Sequence, residues 1–434
     1  MLLKHRELIV YRNMEHADIL NDICDLLEVY LGGEDIPYLT GKVADAFGRL
    51  IEYCRENGYR GDLWSAYLTS LLVNAENSYS YSCEAGGTAD PDEILLHDMS
   101  IFAGFFTLDI DGLITESGLI SLRSVRDYSG SDLRGTYDPW IRDLVLELAD
   151  ELKNAGSPEV MADKLGAFYT KYGVGSIGLH RAFRLDTDDG LKIVPIPRMS
   201  HFTLDDLIGY ESAKLKLTEN TEAFLNKKPA NNCLLYGDAG TGKSSCIRAL
   251  ATEYYEKGLR IIQVCRDQYR YLSPLMSLIR NRNYRFIIYM DDLSFEDFET
   301  DYKYLKAIIE GGIEERPDNI LIYATSNRRH LIRESVSDRD DRDEDMHRSD
   351  TMAEKLSLSQ RFGVSIYFGS PMKKEFNSIV LGIAKKSGLN MPEDELLAEA
   401  NKWELSHGGL SGRTARQFID HLLGTMSDSE RSAH

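Results

Sequence analysis

The distribution of hydrophobic and polar positions divides this chain into two parts. Up to about residue 190, apolar residues recur at helical spacing, and one such face carries Ile19, Ile23, Leu26 and Leu27. Beyond about residue 200, short apolar runs typical of buried strands alternate with helical segments. The prolines within residues 191–199 each fix their own φ and favour an extended connector. We therefore expect a mainly helical domain over residues 1–190, joined by this connector to an α/β domain.

The second part has an order of elements typical of a parallel sheet sandwiched by helices. Predicted strands follow one another with helical segments between them, and a series of helices follows the last strand. The runs that predict strands are residues 232–236, 259–266, 285–292, 319–327 and 364–368. This order predicts an α/β core over residues 200–370 and a helical domain over residues 371–434.

A glycine-rich loop follows the first of these strands. Residues 237–244 match the pattern G-x-x-x-x-G-K-[ST], in which successive backbone N–H groups surround phosphate oxygens. Glycine is needed because a Cβ would block the approach of phosphate or forbid the required dihedrals. The lysine brings positive charge to the β and γ phosphates, and the serine hydroxyl is the expected Mg²⁺ ligand. The nucleotide-binding residues predicted here are Gly237, Asp238, Ala239, Gly240, Thr241, Gly242, Lys243, Ser244 and Ser245.

Three further stretches accompany this loop. Leu207-Ile208-Gly209 precedes the first strand, a buried strand ends in Asp291-Asp292, and another ends in Asn327. With these motifs, the chain from about residue 200 to its end resembles an AAA+ ATPase module. The sequence of this part is most similar to the uncharacterised bacterial family catalogued as domain of unknown function 815. The resemblance implies a P-loop core with a helical lid, and ATP and Mg²⁺ as cofactors.

The resemblance also implies where the nucleotide and the metal bind. Ile208 and Gly209 would line the adenine pocket, because the corresponding segment does so in AAA+ proteins. The predicted strand that ends at residue 291 resembles the Walker B element. Asp291 would therefore hold the magnesium shell, directly or through water, opposite Ser244.

The residue that orients the attacking water is left open by the sequence. The family pattern has glutamate where this chain has Asp292, whose side chain is shorter by a methylene group. Glu296, a few residues further on, is therefore an alternative. Asn327 resembles the polar sensor 1 residue, which can donate to the γ-phosphate or to the attacking water.

Two arginines match positions from which AAA+ proteins contact phosphates. Arg361 corresponds to the residue that reaches into a neighbouring subunit and neutralises charge on the transferred phosphoryl group. Arg413 best fits the sensor 2 residue of the lid, and Arg416, one turn later, is the alternative. A homo-oligomer follows if Arg361 acts in trans.

A pore loop for threading a client is not clear in this chain. Many AAA+ translocases carry an aromatic-hydrophobic-glycine motif where this chain has residues 267–274, and here the glycine is missing. Tyr269 or Tyr271 could instead stack on a base beside Arg266 and Arg270, or pack inside the fold. A mixed-charge stretch between residues 333 and 355 predicts a mobile or partner-facing loop.

Composition limits the partners. The formal net charge of -20 opposes strong non-specific attraction to nucleic acid or to an anionic membrane. No apolar run approaches the ~20 residues that cross a bilayer, and the first residues lack an apolar secretory segment, so we expect a cytoplasmic protein without a membrane partner.

Together the motifs predict an ATPase that hydrolyses MgATP. The resemblance to AAA+ proteins implies that hydrolysis remodels a macromolecular client, most simply a protein. A nucleotide-gated binding switch with weak hydrolysis is an alternative, because Asp292 replaces glutamate. A DNA-associated loader is another, because arginines are frequent between residues 266 and 282. The sequence does not specify the client, the number of subunits or the role of the N-terminal domain.

Overall fold

The computed structural model of the protein describes residues 4–33, 39–86, 91–130, 137–188, 190–196, 199, 202–293, 305, 308–309, 317–327 and 360–425. The chain divides into two compact units. The first comprises Met1–His180 and Pro195–Met199, and the second comprises Arg181–Val194 and Ser200–His434. The first unit is helical, and the second contains the sheet.

The N-terminal unit is built around a helix that has no polar face. Its helices are α1 (Ala17–Leu31), α2 (Thr40–Glu56), α3 (Leu63–Asn74), α4 (Ser78–Glu84), α5 (Glu93–Phe106), α6 (Ile110–Glu116), α7 (Pro139–Lys153), α8 (Pro158–Tyr172) and α9 (Gly175–Leu179). Helix α3 carries no charged residue, and every residue except Asn74 is buried. A helix that is apolar all round needs neighbours on every side, and α2, α5, α7 and α8 supply them.

A buried carboxylate holds the start of the chain against α5. The side chain of Asp98 is fully buried and accepts hydrogen bonds from the backbone N–H groups of Ile9, Val10 and Tyr11, at 2.8–3.1 Å. A buried charge is tolerated when such donors replace its hydration. Asp98 therefore fixes the position of residues 9–11 on the helical core.

We expect the substitution Asp98→Ala to lower the free energy of unfolding by about 2–4 kcal/mol, because three backbone N–H groups, of which that of Tyr11 is buried, would lose a charged acceptor. Urea unfolding followed by tryptophan fluorescence measures the change. Asp163→Asn, at an exposed position on α8, is the control and should have little effect. Equal stability of Asp98→Ala and the wild-type protein would contradict the role given to this carboxylate.

The second unit is built on a seven-stranded sheet. Its strands are β1 (Ala182–Asp186), β2 (Lys192–Pro195), β3 (Cys233–Gly237), β4 (Leu259–Gln263), β5 (Arg285–Met290), β6 (Ile320–Ser326) and β7 (Val364–Phe368). The order is β2-β1-β4-β5-β6-β3-β7, and the pairings from β1 to β7 are parallel. Strand β6 is buried throughout, as expected for a parallel strand covered on both faces. The predicted fold class is thereby confirmed.

The structure differs from the sequence-based expectation at the start of this unit. Strand β1 lies within residues 1–190, which were expected to be mainly helical, and β2 lies within the expected connector. Both strands belong to the sheet, and the second unit begins at Arg181. The prolines did not exclude this arrangement, because proline is tolerated in an edge strand such as β2.

The remaining helices of the second unit include a lid with its own core. Helices α10 (Glu211–Leu225), α11 (Lys243–Glu253) and α12 (Leu272–Ile279) accompany the sheet. Helices α13 (Lys373–Lys386), α14 (Glu393–Ser406) and α15 (Gly412–Thr425) follow the last strand, and we call them the lid. Their apolar faces meet in one cluster that contains Phe376, Val380, Ala400, Ala415 and Ile419.

In the part of the chain that the structure describes, none of the helices combines the length and the apolar character that crossing a membrane requires.

Candidate functional site

The residues selected from the sequence meet at the carboxyl edge of the sheet. Strand β6 lies between β3 and β5, with Ser326 opposite Tyr236 and Ala324 opposite Met290. Because the three strands are parallel, the segments that follow them leave the sheet at the same edge. The glycine-rich loop after β3, the acids after β5 and Asn327 after β6 are brought together in this way.

Gly237 joins the sheet to the glycine-rich loop. Its φ is +133°, and a Cβ at this position would lie 2.1 Å from the carbonyl oxygen of Phe368 on β7. Only glycine fits here. Asp238 donates its N–H to the same carbonyl at 2.9 Å, and its carboxylate accepts from the N–H of Ser370 at 2.7 Å. This hydrogen bonding by Ser370 lowers the pKa of Asp238. Strand β7 thus fixes where the loop begins.

Lys243 lies over the loop at the start of α11. Gly242, directly before it, has a φ of +96°, a value that L side chains rarely adopt. The Lys243 side chain is buried, and its Nζ donates to the carbonyls of Gly237 (2.9 Å) and Asp238 (2.6 Å) and to Oδ1 of Asn327 (3.1 Å). Burial lowers the pKa of Lys243, because desolvation penalises the charged form. The ammonium group is held between the loop and the end of β6.

Ser244 and Asp291 provide oxygen donors suited to a magnesium ion. The Ser244 hydroxyl donates to Oδ1 of Asp291 at 2.8 Å, and the Thr325 hydroxyl donates to the same oxygen at 2.6 Å. Burial by itself would raise the pKa of Asp291, but the hydrogen bonds outweigh burial and the pKa is lowered. Asp291 is therefore ionised at neutral pH. A hydroxyl and an ionised carboxylate in contact fit Mg²⁺, which takes such hard ligands together with phosphate oxygens.

Asp292 is held by contacts to the end of β6. Its φ is +50°, a left-handed conformation that aspartate adopts more readily than most residues. Its carboxylate accepts from Nδ2 of Asn327 at 2.8 Å. Asn327 therefore contacts Lys243 through its oxygen and Asp292 through its nitrogen. The amide orientation follows from these partners, since a carboxylate only accepts and an ammonium only donates.

A cavity of about 560 Å³ lies over these groups, within the range of small-molecule sites. Apolar residues from the segment before α10 and from lid helix α13 line it, among them Ile208, Ile379 and Ile383. Arg413 and Arg416 of α15 also line the cavity. The backbone N–H of Arg413 donates to the carbonyl of Gly240 at 3.1 Å, so the start of α15 is fixed on the loop.

A second contact joins the lid to the segment beside the cavity. Lys386, the last residue of α13, donates to the carboxylate of Asp206 at 2.8 Å and to the carbonyl of Asp205 at 2.6 Å. The hydrogen bond from Lys386, followed by that from the N–H of Thr203, lowers the pKa of Asp206 to about 2. We call the pair Lys386 and Asp206 the lid latch.

Most of the predicted site residues line this cavity, but four do not. Gly209, Gly237 and Asp238 shape the backbone around it without lining it. Arg361 precedes β7, whose Val364 lies opposite Cys233 and whose Phe368 lies opposite Gly237. The four steps along β3 from Cys233 to Gly237 span about 13 Å at 3.3 Å per residue, and Arg361 precedes the residue paired with Cys233. Glu296 and residues 333–355 lie outside the described residues.

The stretch considered for client contact forms a 3₁₀ turn (Arg266–Tyr271) followed by α12. Tyr269 is buried and packs inside the fold, so it does not stack on a base. Tyr271 is half-buried, and the guanidinium of Arg270 lies 4.9 Å from the centre of its ring. Of the two tyrosines, only Tyr271 has surface to offer a partner.

Several residues of the cavity were not found from the sequence. Thr325 contacts both site acids, and its only sequence signal was a polar residue near the end of a buried strand. Ile379 and Ile383 belong to a helical apolar pattern that also serves the lid core. Arg248 lines the cavity from α11, one turn after Ser244, and carried no motif.

Fold and site together define a P-loop nucleotide-binding module of the AAA+ type. A parallel sheet carries the phosphate loop, the strand-end acids and Asn327, and a helical lid adds arginines over the same cavity. The chain belongs to the family described as protein of unknown function (DUF815), whose model matches residues 178–426. This match confirms the resemblance seen in the sequence, and it includes β1 and β2.

Solved structures similar to this chain include two variants of RuvB from Thermotoga maritima. One is 16% identical over 51% of this chain and 64% of its own, with a TM-score of 0.36. The other is 17% identical over 51% of this chain and 65% of its own, with a TM-score of 0.37. This chain thus spans less than two thirds of the length of either structure, and similarity at this level carries no conclusion about activity. No curated protein matches the chain.

We expect the lid latch to stabilise the second unit in a pH-dependent way. The pKa of Asp206 is about 2 in the folded protein, below its ordinary value of about 3.9, so its contribution is present above about pH 4 and is lost as the pH falls towards 2. The difference in thermal stability between wild type and Asp206→Asn should therefore shrink between pH 4 and pH 2.

Thermal unfolding of both proteins from pH 6 downwards measures this difference. Asp420→Asn, at an exposed position on α15, serves as the control. A stability difference that stays constant from pH 6 to pH 2 would contradict the latch.

Proposed function

We propose that this protein binds MgATP and hydrolyses it to drive conformational remodelling of a macromolecular client. The observation that carries the proposal is the convergence of Lys243, Ser244, Asp291, Asn327 and Arg413 on one cavity. A phosphate loop alone is shared by many nucleotide-binding proteins. Its combination with a metal-binding pair, a polar strand-end amide and a lid arginine supports a site that distinguishes the triphosphate from the diphosphate.

In the proposed reaction, the loop and Lys243 bind the β and γ phosphates through backbone N–H groups and the ammonium charge. Ser244 and Asp291 would hold a magnesium ion, which would neutralise phosphate charge. Ile208, Ile379 and Ile383 exclude water from the nucleoside. Water attacks the γ-phosphorus in line with the leaving oxygen, and no covalent intermediate with the protein is formed.

Asp292 is the residue that we assign to orient the attacking water. Its carboxylate lies in the cavity and is positioned by Asn327, which can itself donate to the γ-phosphate. The left-handed backbone at Asp292 and the contact with Asn327 support this assignment despite the short side chain. Glu296 is the alternative that the sequence raised, and the variants below separate the two.

Arg361 is assigned to a neighbouring subunit's site, and we propose a homo-oligomer on this ground. In support of this assignment, Arg361 comes before Val364, which pairs with Cys233 at the amino end of β3, whereas the loop follows the carboxyl end of β3. An arginine at this distance from its own phosphate loop is suited to contact phosphates in trans. A guanidinium supplied in this way stabilises charge on the transferred phosphoryl group.

A nucleotide-gated switch with weak hydrolysis is a second candidate, and one observation favours it. Nδ2 of Asn327 donates to Asp292, so the water-orienting carboxylate is engaged by a neighbouring side chain. Breaking that contact would then be part of activation. Measuring turnover against protein concentration separates the two functions, because an arginine supplied in trans makes activity rise with assembly.

We expect Lys243→Ala to abolish ATP binding, because it removes the cation beside the phosphates. Asp292→Asn should keep binding and slow turnover by about 10²-fold or more, since an amide is a poor acceptor for the water proton. Binding of a fluorescent ATP analogue and steady-state phosphate release measure the two effects. If Asp292→Asn and Glu296→Gln both hydrolyse ATP at the wild-type rate, neither acid orients the water.

The trans role of Arg361 is testable by mixing two inactive variants. Arg361→Ala retains a nucleotide site but lacks the arginine, whereas Lys243→Ala lacks nucleotide but presents Arg361 to its neighbour. We expect each variant alone to be inactive and the mixture to recover part of the ATPase activity. Arg280→Ala, which removes an exposed arginine elsewhere in the same unit, should be active alone. A mixture as inactive as its components would show that Arg361 does not act between subunits.

A further inference from the structure

Thr325 lies where the strand-end acids meet the sheet. It is the next-to-last residue of β6, opposite Leu235 of β3, and it is 1% exposed. A hydroxyl at such a position must find partners, because burying an unpaired hydroxyl is costly. Its partners are both in the segment that follows β5.

The direction of each hydrogen bond follows from the chemistry of the partners. The backbone N–H of Asp292 can only donate, so the Thr325 oxygen accepts from it, at 3.0 Å. The hydroxyl proton is then available for Oδ1 of Asp291, at 2.6 Å, and an ionised carboxylate can only accept it. One hydroxyl thereby contacts two consecutive acids in defined roles.

The backbone of Thr325 contributes a third contact to the same segment. Its carbonyl accepts from the N–H of Leu293 at 2.7 Å. The turn between these hydrogen bonds contains the left-handed residue Asp292. Thr325 therefore holds the turn at both of its ends, and the direction in which the Asp292 side chain leaves the backbone depends on it.

We propose that Thr325 is a positioning residue that orients the metal-binding acid and the water-orienting acid together. This assignment rests on the proposed function as a MgATP hydrolase. Thr325 contacts neither nucleotide nor metal in the proposal. It fixes one oxygen of Asp291 opposite Ser244, and through the N–H of Asp292 it sets where that carboxylate meets Asn327.

A purely structural role for Thr325 makes a different prediction from a positioning role. If the methyl group and the β-branched shape mattered, valine would replace threonine well, because the two side chains have nearly the same volume and both favour strands. If the hydroxyl matters, serine should replace it and valine should not. Thr325→Val and Thr325→Ser therefore form a matched pair.

The experiment measures how the binding of a fluorescent ATP analogue depends on Mg²⁺. Nucleotide affinity is determined first in excess chelator and then during titration with magnesium chloride, alongside phosphate release. For Thr325→Val we expect the Mg²⁺ concentration at half-effect to rise by about 10–100-fold and turnover to fall by a similar factor, as for other residues that orient metal ligands. Affinity without Mg²⁺ should stay within about twofold of wild type, and Thr325→Ser should recover most of the Mg²⁺ response.

Thr221→Val is the control for loss of a buried threonine hydroxyl. Thr221 is fully buried in the same unit, on α10, and its hydroxyl contacts Leu217 and Tyr323 rather than the site. We expect it to lower thermal stability without changing the response to Mg²⁺. If Thr325→Val does not fold, Thr325→Ala takes its place, since alanine also lacks the hydroxyl.

Three results would overturn the assignment of Thr325. These are a wild-type Mg²⁺ response in Thr325→Val, an equal loss of nucleotide affinity with and without Mg²⁺, and a Thr325→Ser variant as defective as Thr325→Val. In each case the wild-type protein still binds and hydrolyses MgATP, so the proposed function stands. A wild-type protein that neither binds nor hydrolyses MgATP would contradict the proposed function itself, and the assignment of Thr325 with it.

Discussion

The parallel alignment of β3 between β6 and β7 is the constraint on which the site depends. It sets Gly237 against Phe368, so the loop begins where only glycine fits, and it sets the end of β6 beside the loop. A shift of this register by one residue would turn every side chain of the moving strand to the opposite face. If β6 were the strand that shifted, Thr325 would leave the acids that follow β5. The sheet therefore determines the distances between the site residues before any ligand contributes.

Burial of the Lys243 charge explains why acceptors are concentrated around its ammonium group. Lys243 is removed from water, whereas Asp291 is exposed in the cavity, and a buried ion is costly unless acceptors replace its hydration. Lys243 has two carbonyls and an amide oxygen, and Asp291 has two hydroxyls. Groups that are held in this way lose little further freedom when a ligand binds, so the arrangement is preorganised for the phosphate and metal binding that we propose.

The sequence could predict those parts of the site that are encoded locally. The loop from Gly237 to Ser244 has fixed spacing, and Asp291 and Asn327 each end a strongly apolar run, so their positions could be read before the fold was known. Thr325 could not be found in this way, because its importance comes from the pairing of β6 with β5. Strand β1 was not predicted for a related reason, because its five residues form a strand by pairing with β4, which is distant in the sequence. For the N-terminal unit, the sequence predicted helices but not how they pack, because amphipathic spacing specifies a helix but not its partners.

The separate core of the lid has a mechanical consequence. Helices α13, α14 and α15 pack on one another through a shared apolar cluster, so a movement of the lid would carry the three helices together, as a rigid lever. One arm of this lever ends at Arg413 beside the phosphate loop, and another ends at Lys386 beside Asp205 and Asp206. A displacement at the phosphate end would therefore reach the segment that leads from the first strands of the sheet into α10. Under the proposed function, this segment is where a change at the nucleotide would leave the module.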